Sequence, residues 1–119
     1  MCVKFKCYYF YLIIMAVAHI TNDSFQSEVA DHKGTVLVDF YADWCGPCKA
    51  TGPIIEALAE EMTDVKFVKV NVDENQQLAG KYSVFSIPTF MVFKDGKMVN
   101  QFVGARSKDG FQEEIKKAM

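Results

Sequence analysis

The sequence lacks the features that mark nucleic-acid-binding, repeat and membrane-spanning proteins. Its formal net charge is -2 and its lysines are scattered, so no basic surface for a phosphate backbone is indicated. No internal repeat, linker or low-complexity stretch occurs in the 119 residues. The apolar stretch from Cys7 to Ile20 is about fourteen residues long, whereas a helix that crosses a bilayer needs roughly twenty. We therefore expect a single globular domain with one proper core.

Histidine and cysteine are too few, or too poorly spaced, for a metal site or a disulfide scaffold. His32 precedes a predicted turn and has no partner nearby in sequence, so no catalytic role is indicated. Cys2 and Cys7 lie near the N-terminus, while Cys45 and Cys48 are only three residues apart. A four-cysteine zinc site needs two pairs on tight turns, but a long amphipathic stretch follows the second pair. We expect no metal and no organic cofactor.

Cys45 and Cys48 lie where a predicted strand gives way to a predicted helix. An apolar run, 35–40, precedes the pair, and an amphipathic run, 49–62, follows it. In the first turn of a helix, a sulfur atom faces unpaired N–H groups and the positive end of the helix dipole, which lowers the pKa of a thiol. Cys45 is therefore predicted to be the nucleophile of a redox dithiol. Cys48 returns to the same helical face one turn deeper, where it can resolve a mixed disulfide formed at Cys45.

The residues around this pair resemble the thioredoxin family. Three motifs carry the resemblance, in the family's order and at similar spacing: Val38-Asp39-Phe40-Tyr41-Ala42, Trp44-Cys45-Gly46-Pro47-Cys48-Lys49 and Ile87-Pro88-Thr89. The match runs from about Met15 to the C-terminus, and it implies a three-layer α/β fold in which helices flank a mixed central β-sheet. It also implies a general protein disulfide reductase, because Gly46-Pro47 is the reductase-type insert, whereas family oxidases and isomerases commonly carry a histidine there.

The resemblance also gives roles to two charged residues within apolar strands. A carboxylate in such a strand either pairs or raises its pKa and becomes a proton carrier. Pattern alone leaves Asp39 equally at a strand edge, and it leaves Lys69 extending to solvent from a strand end. Asp39 matches the family's buried acid, so the resemblance implies that it is the proton carrier and that Lys69 is its partner.

A further set of residues is implied to bind substrate beside the dithiol. The family carries a cis-proline at the position of Pro88, and its loop backbone can pair with an extended substrate segment. Trp44 is the central contact in this interpretation, and filling of the core is the alternative. Phe85 stands where the family often has a smaller or more flexible residue, so the groove is expected to be more aromatic. The implied substrate-binding residues are Trp44, Gly46, Pro47, Ile87, Pro88 and Gly104.

Apolar periodicity predicts the order strand, helix, strand, helix, strand, helix, hairpin, helix. The first helix is predicted to be capped by residues 22–24, and the second to be kinked at Pro53. Gly52 within that helix has no functional interpretation, and Asp95-Gly96 is predicted to form the hairpin turn. Strands are expected at about 17–20, 35–41, 65–72, 90–93 and 98–103, and helices at about 24–30, 45–62, 73–82 and 107–117.

The first fourteen residues do not fit the domain. Lys4, Lys6 and the apolar run that follows imitate a signal peptide, but cleavage after Ala18 would remove half of the first predicted strand. We therefore expect residues 1–14 to be an upstream extension and residues 15–119 to form the thioredoxin domain of a cytoplasmic monomer. Export or membrane tethering is the alternative if residues 1–20 act as a signal.

The resemblance implies two kinds of partner. Protein disulfides are the expected substrates, and thioredoxin reductase is the expected electron donor; no nucleic acid and no stable membrane association are expected. A different class of function stays open, because a binding module could use the same apolar surface with dispensable cysteines.

Overall fold

The computed structural model describes residues 17–119, in which five strands form one mixed sheet. In sheet order they are β1-β3-β2-β4-β5; β3 pairs in parallel with both β1 and β2, whereas β4 pairs antiparallel with β2 and β5. The predicted α/β class with a mixed central sheet is confirmed. The strands are β1 (Val17–His19), β2 (Thr35–Tyr41), β3 (Val65–Asn71), β4 (Thr89–Lys94) and β5 (Lys97–Val103).

Helices cover both faces of this sheet. Residues from α2 and α4 join one buried cluster with Leu37 and Phe67, whereas residues from α1 and α3 join a second cluster with Val38 and Val68. The fold is therefore the predicted three-layer sandwich. The helices are α1 (Gln26–Ala30), a single turn of π-helix, followed by α2 (Gly46–Glu61), α3 (Gln76–Lys81) and α4 (Lys108–Lys117).

The side chains of β2 show how the sheet divides the core. Because successive residues of a strand point to opposite faces, Val36, Val38 and Phe40 enter the α1/α3 cluster. Leu37 enters the α2/α4 cluster, and Asp39 lies on that same face two residues further along. A strand that is buried from Thr35 to Phe40 thus carries a carboxylate toward the layer that contains α2.

The predicted capping of the first helix is wrong. Phe25 occupies the position before α1 and makes no side-chain capping bond. Asn22 instead ties this loop to the start of α3, since its Oδ1 accepts from the Leu78 N–H at 3.0 Å and its own N–H donates to Asn75 Oδ1 at 2.9 Å. The polar residue serves a tertiary contact in place of the local one that its sequence position suggests.

The hairpin of β4 and β5 turns at Asp95-Gly96, as predicted. Both residues have positive φ, 51° for Asp95 and 84° for Gly96, as a two-residue hairpin turn requires. A Cβ atom on Gly96 would stand 2.3 Å from the backbone oxygen of Ala30, so this position also needs glycine for space. The turn therefore packs against the end of α1.

The remaining predictions concern Pro53, membrane-spanning helices and the N-terminal residues. Helix α2 continues through Pro53 to Glu61. Within residues 17–119, no helix combines the length and apolar character needed to cross a membrane. The predicted extension of residues 1–14, Cys2, Cys7 and the predicted start at Met15 lie outside the described residues.

Candidate active site

The cysteine pair lies at the junction of β2 and α2. Cys45 is the N-cap of α2, and the backbone N–H of Cys48 donates to Cys45 Sγ at 3.2 Å. The two residues are joined by a disulfide, with their Cα atoms 5.2 Å apart. The sulfur of Cys45 therefore occupies the place of a capping oxygen, where first-turn N–H groups point at it.

Both cysteines are recessed beneath the surface. Cys45 is 4% exposed and Cys48 is 6% exposed, and the pair packs in a small cluster with Ala42. Val72 from the end of β3 and Ile87 from the loop before β4 pack against this cluster. Three chain segments that are distant in sequence thus meet at the dithiol.

Asp39 lies on β2 behind the pair and is almost completely buried. It is 1% exposed, and neither of its carboxyl oxygens has a hydrogen-bond partner within residues 17–119. Burial raises the pKa of Asp39 from 3.8 to about 7, because a charged carboxylate is poorly stabilised away from water, and the positive charge of Lys69 opposes that rise. The carboxyl group therefore changes its charge near neutral pH.

Lys69 lies in register with Asp39 on the neighbouring strand. Its Nζ is 5.0 Å from the centroid of the Tyr41 ring, and a Cβ atom on Gly52 of α2 would be 3.9 Å from that Nζ. No functional reason for a glycine at position 52 is apparent from the residue pattern alone. In the structure, the bare backbone of α2 forms one wall of the space beside the ammonium.

A pocket of about 410 Å³ connects these groups to the second cysteine. It opens at the carboxyl end of β2 and runs under the first turns of α2, so Cys48 and Lys69 share one cavity, whereas Cys45 is absent from its lining. The lining residues are Tyr41, Ala42, Asp43, Cys48, Lys49, Gly52 and Lys69. The two cysteines therefore differ in surroundings although their burial is alike.

Trp44 lies on the surface directly before the pair. Its side chain is 70% exposed, which excludes the alternative that it fills the core. The indole N–H donates to Asp73 Oδ2 at 2.8 Å, so the ring is fixed while one face stays open to solvent. Gly46 and Pro47, the two residues between the cysteines, are exposed as well.

The loop before β4 forms the other side of the site. The Ile87-Pro88 peptide bond is cis, and the Pro88 oxygen accepts from the Gly104 N–H at 2.9 Å. Gly104 has a φ of 95°, and a Cβ atom there would meet nothing within 4 Å, so its backbone conformation rather than crowding favours glycine. Phe85, in the same loop, is 92% exposed. The predicted substrate-binding residues thus flank the dithiol on two sides.

Sequence reasoning missed three residues of this region. Asp73 follows the carboxyl end of β3, as Trp44 follows that of β2, and parallel neighbouring strands bring such ends together. The contact between Asp73 and Trp44 could therefore have been predicted from the sequence. The contact between Tyr41 and His19, 3.1 Å from Oη to Nδ1, could not, because it depends on the register of strands far apart in sequence.

No group of three histidine, cysteine or acidic side chains within residues 17–119 is arranged to hold a metal ion. The described groups that change charge or accept electrons at the site are a disulfide and a carboxyl group with an adjacent ammonium. A disulfide beside a group that titrates near neutral pH can exchange electrons and protons with other thiols.

Comparison with known proteins gives the same identification. The family model described as Thioredoxin matches residues 16–117. The chain is 50% identical to thioredoxin of Bacillus subtilis (strain 168) over 104 residues, which is 87% of this chain and 98% of that protein. It is 42% identical to thioredoxin of Porphyra purpurea over 87% of this chain and 97% of that one. Thioredoxin 1 of Nostoc sp. is 44% identical over 86% of this chain and 96% of its own length. The chain belongs to the thioredoxin family and is a protein thiol-disulfide oxidoreductase.

Proposed function

We propose that the protein is a general reductase of protein disulfides, with Cys45 as the attacking thiol and Cys48 as the resolving thiol. One observation carries the proposal: the two sulfurs share a disulfide at the N-terminus of α2, but only Cys48 opens onto the pocket that holds Lys69 beside buried Asp39. The two sulfurs therefore meet different electrostatic surroundings, as a nucleophile and a resolving thiol require.

The first step uses the helix terminus. In the reduced protein, the Cys45 thiolate is stabilised by the N–H of Cys48 and by the positive end of the α2 dipole. It attacks one sulfur of a substrate disulfide, so that a mixed disulfide forms and the other substrate sulfur leaves as a thiolate, which takes a proton from water. No net electron transfer is complete until this mixed disulfide is resolved.

The second step uses the buried carboxylate. Asp39 lies behind the pocket and not in its lining. In the proposed step, the Cys48 thiol gives its proton to Asp39 through a bridging water molecule, and the resulting thiolate attacks Cys45 Sγ. The disulfide between the two cysteines forms as the bond to substrate breaks, and the second substrate sulfur leaves. Two electrons pass from the dithiol to the substrate. A carboxyl group with a pKa of about 7 suits this role, because it is partly ionised at neutral pH and can both take and release a proton.

The residues that flank the dithiol are proposed to hold an extended segment of the substrate. Trp44 offers a fixed aromatic face on one side, and the loop of Ile87 and Pro88, tied to Gly104, offers backbone on the other. Gly46 and Pro47 form the exposed floor between them. None of these residues carries a charge, so the surface suits many unfolded or flexible disulfide-containing segments more than one folded partner.

The oxidised protein needs an electron donor to act again. We propose thioredoxin reductase in this role, and the cytoplasm as the place of action, with the domain working as a monomer from Met15. Relatives that bear the name thioredoxin support the choice of this reductase.

Reduction of insulin, followed by the turbidity of its separated chains, tests the proposal. The wild-type protein with dithiothreitol as donor is expected to accelerate precipitation, whereas Cys45→Ser is expected to lose this activity because no mixed disulfide forms. Cys48→Ser should form the mixed disulfide but fail to resolve it, so mass spectrometry should find it attached to an insulin chain. Equal rates in all three proteins would contradict the proposal.

The role of Asp39 is tested separately by stopped-flow fluorescence of Trp44. Asp39→Asn is expected to slow the resolving phase at pH 7 by one to a few orders of magnitude, roughly the range for general-base catalysis, with little change in the attacking phase. Glu56→Gln, an exposed acid on the solvent side of α2, is the matched control and should alter neither phase. Unchanged resolution in Asp39→Asn would remove the carboxylate from the mechanism.

A further inference from the structure

The ammonium of Lys69 has an unusual position for a lysine beside a buried acid. Within residues 17–119 it makes no ion pair and no hydrogen bond, and both oxygens of Asp39 likewise lack a partner. The two groups are in register on adjacent strands, so they share one face of the sheet. Lys69 therefore acts on Asp39 through space, and that action depends on where the flexible side chain places its charge.

The described contact that does fix the ammonium is the ring of Tyr41. The Nζ of Lys69 lies 5.0 Å from the ring centroid, within the range in which a cation is attracted to an aromatic face. Tyr41 is two residues beyond Asp39 on β2, so it lies on the same face of the sheet, at the mouth of the pocket. The aromatic face thus stands where the lysine side chain would otherwise extend into water.

The ring of Tyr41 is itself held from the far side. Its hydroxyl is 3.1 Å from Nδ1 of His19, and the two rings meet edge to face at 6.0 Å between centroids. His19 ends β1 and is in register with Lys69, which in turn is in register with Asp39. One row across three parallel strands therefore contains the histidine, the lysine and the acid, with the tyrosine ring above it.

We propose that Tyr41 is a positioning residue for the reaction: its ring keeps the Lys69 ammonium inside the pocket beside Asp39, and His19 braces the ring. The inference rests on the proposed function of Asp39, but it concerns residues that have no assigned role. Tyr41 packs against the small cluster that contains both cysteines, but the proposal gives neither Tyr41 nor His19 a part in bond making or breaking. They act on proton transfer only through the position of a charge.

The position of the Lys69 ammonium depends on whether water or the aromatic ring stabilises it more. A lysine ammonium at a pocket mouth gains hydration by swinging outward, and each step away from Asp39 weakens the attraction that favours the ionised carboxylate. A cation over an aromatic face recovers part of that hydration energy without leaving. Loss of the ring should therefore move the ammonium outward and raise the pKa of Asp39.

Other charged groups around the pocket do not replace Lys69. Asp43 and Glu74 carry charge of the wrong sign to stabilise a second carboxylate, and on the β4 side Asp39 faces apolar Phe90. Lys49 lies in the pocket lining on the exposed side of α2, where solvent screens its charge. The groups that face Asp39 or Tyr41 from the surrounding elements are His19, Asp43, Lys49, Lys69 and Glu74.

The test is an NMR titration of the Asp39 carboxyl carbon in the oxidised protein, with aspartate labelled by ¹³C and the signal assigned by its loss in Asp39→Asn. Lys69→Met removes the positive charge altogether, so its rise in the Asp39 pKa is the largest that displacement of the ammonium could cause. Tyr41→Leu is expected to give a smaller rise in the same direction. An unchanged or lowered pKa in Tyr41→Leu would overturn the proposal.

A double variant separates positioning from a direct effect of the ring on burial. In the Lys69→Met background, Tyr41→Leu should cause no further shift, because no ammonium remains to be held. A shift of the same size with and without the lysine would show that the tyrosine acts on Asp39 by itself, and would overturn the proposal.

Two smaller changes give intermediate shifts of the Asp39 pKa and disturb folding less than Tyr41→Leu does. Tyr41→Phe keeps the ring and loses only the bond to His19, so its rise in the pKa should be smaller than that of Tyr41→Leu; an equal rise would contradict the role of the ring. His19→Ala keeps both the ring and the lysine, and it decides whether the brace matters should Tyr41→Leu fail to fold. An unchanged Asp39 pKa in His19→Ala would show that His19 does not help to hold the Tyr41 ring.

The matched control is Tyr82→Leu. Tyr82 also has a lysine over its ring, Lys81 at 5.5 Å, but it packs with Phe25 and Phe93 on the opposite face of the sheet. Its loss should leave the Asp39 pKa unchanged. Because the titration needs no substrate, its outcome is independent of insulin reduction: a shifted pKa with unchanged resolving kinetics would contradict the proton-carrier role and leave the positioning intact.

Discussion

The two faces of β2 and β3 hold side chains of opposite character. On the face toward α1 and α3, Val38 and Phe40 of β2 lie beside Val68 of β3, all fully buried and all apolar. On the face toward α2, the residues between them are Asp39 and Lys69. The same two strands, therefore, supply apolar packing on one side and a titrating group on the other.

The face toward α2 carries charge only at one end. Leu37 and Phe67, near the start of the paired strands, belong to the α2/α4 core. Charged side chains begin at Asp39 and Lys69, toward the carboxyl ends of the parallel strands, which is also where Cys45 caps α2. The protein therefore confines charge on this face to the few residues that lie next to the dithiol, because a charge away from water is costly.

Adding an acid on the other face of β2 should have the largest effect on stability. Val38→Asp places a carboxylate between its register neighbours Val68 and Met91, with no lysine beside it. We expect a loss of more than about 4 kcal/mol in the free energy of unfolding, enough to unfold much of the protein at neutral pH. Urea unfolding followed by circular dichroism measures it. Val38→Ala is the control, and equal stability of the two variants would show that the faces do not differ in this way.

Removing the acid from its own face should stabilise the protein at neutral pH. The pKa of Asp39 is raised from 3.8 to about 7 on folding, so the folded state binds the proton more tightly than the unfolded state does. The contribution of Asp39 to stability is therefore lost as the pH rises from 3.8 to about 7, by at most about 4 kcal/mol, and stays lost above that range. Asp39→Asn should lack this loss.

The measurement is the free energy of unfolding of both oxidised proteins across this pH range. The two curves should meet at the acidic end, where Asp39 is protonated in both states, and separate toward neutral pH with the variant above the wild type. The difference between the curves cancels the other titrating groups. Parallel curves would show that Asp39 is not buried at the expense of stability.

The smallest effect on stability is expected at Gly52, the residue of α2 that lies next to Lys69. An added Cβ atom would lie 3.9 Å from Lys69 Nζ, an ordinary contact, so Gly52→Ala should gain about 0.5–1 kcal/mol from helix propensity and keep its insulin-reducing activity. Gly110 of α4 is the control, since a Cβ atom there would stand 3.2 Å from the Arg106 side chain. Gly110→Ala should gain less. A large loss of activity in Gly52→Ala would mean that the pocket tolerates no filling.

Local patterns predicted most elements because their causes are local. The apolar run of β2, the helix that begins after Cys45 and the Asp95-Gly96 turn follow from periodicity and turn chemistry. Helix α3 begins at Gln76, later than predicted, because the Asn71 side-chain oxygen accepts from the N–H groups of Asp73 and Glu74 and holds them in a turn. A side-chain contact of this kind competes with the helix, and sequence patterns do not report which one forms.

The order of residues alone predicts the spacing of Cys45 and Cys48, their place at a helix start and the presence of an acid in an apolar strand. Only the paired strands bring His19 and Lys69 into one row with Asp39, and only the packing of α2 opens Cys48 onto the pocket that Lys69 lines. The physical reason is that register between strands far apart in the chain follows from packing of the whole sheet, and that a pKa follows from burial and from nearby charge. Neither is a property of any local stretch of residues.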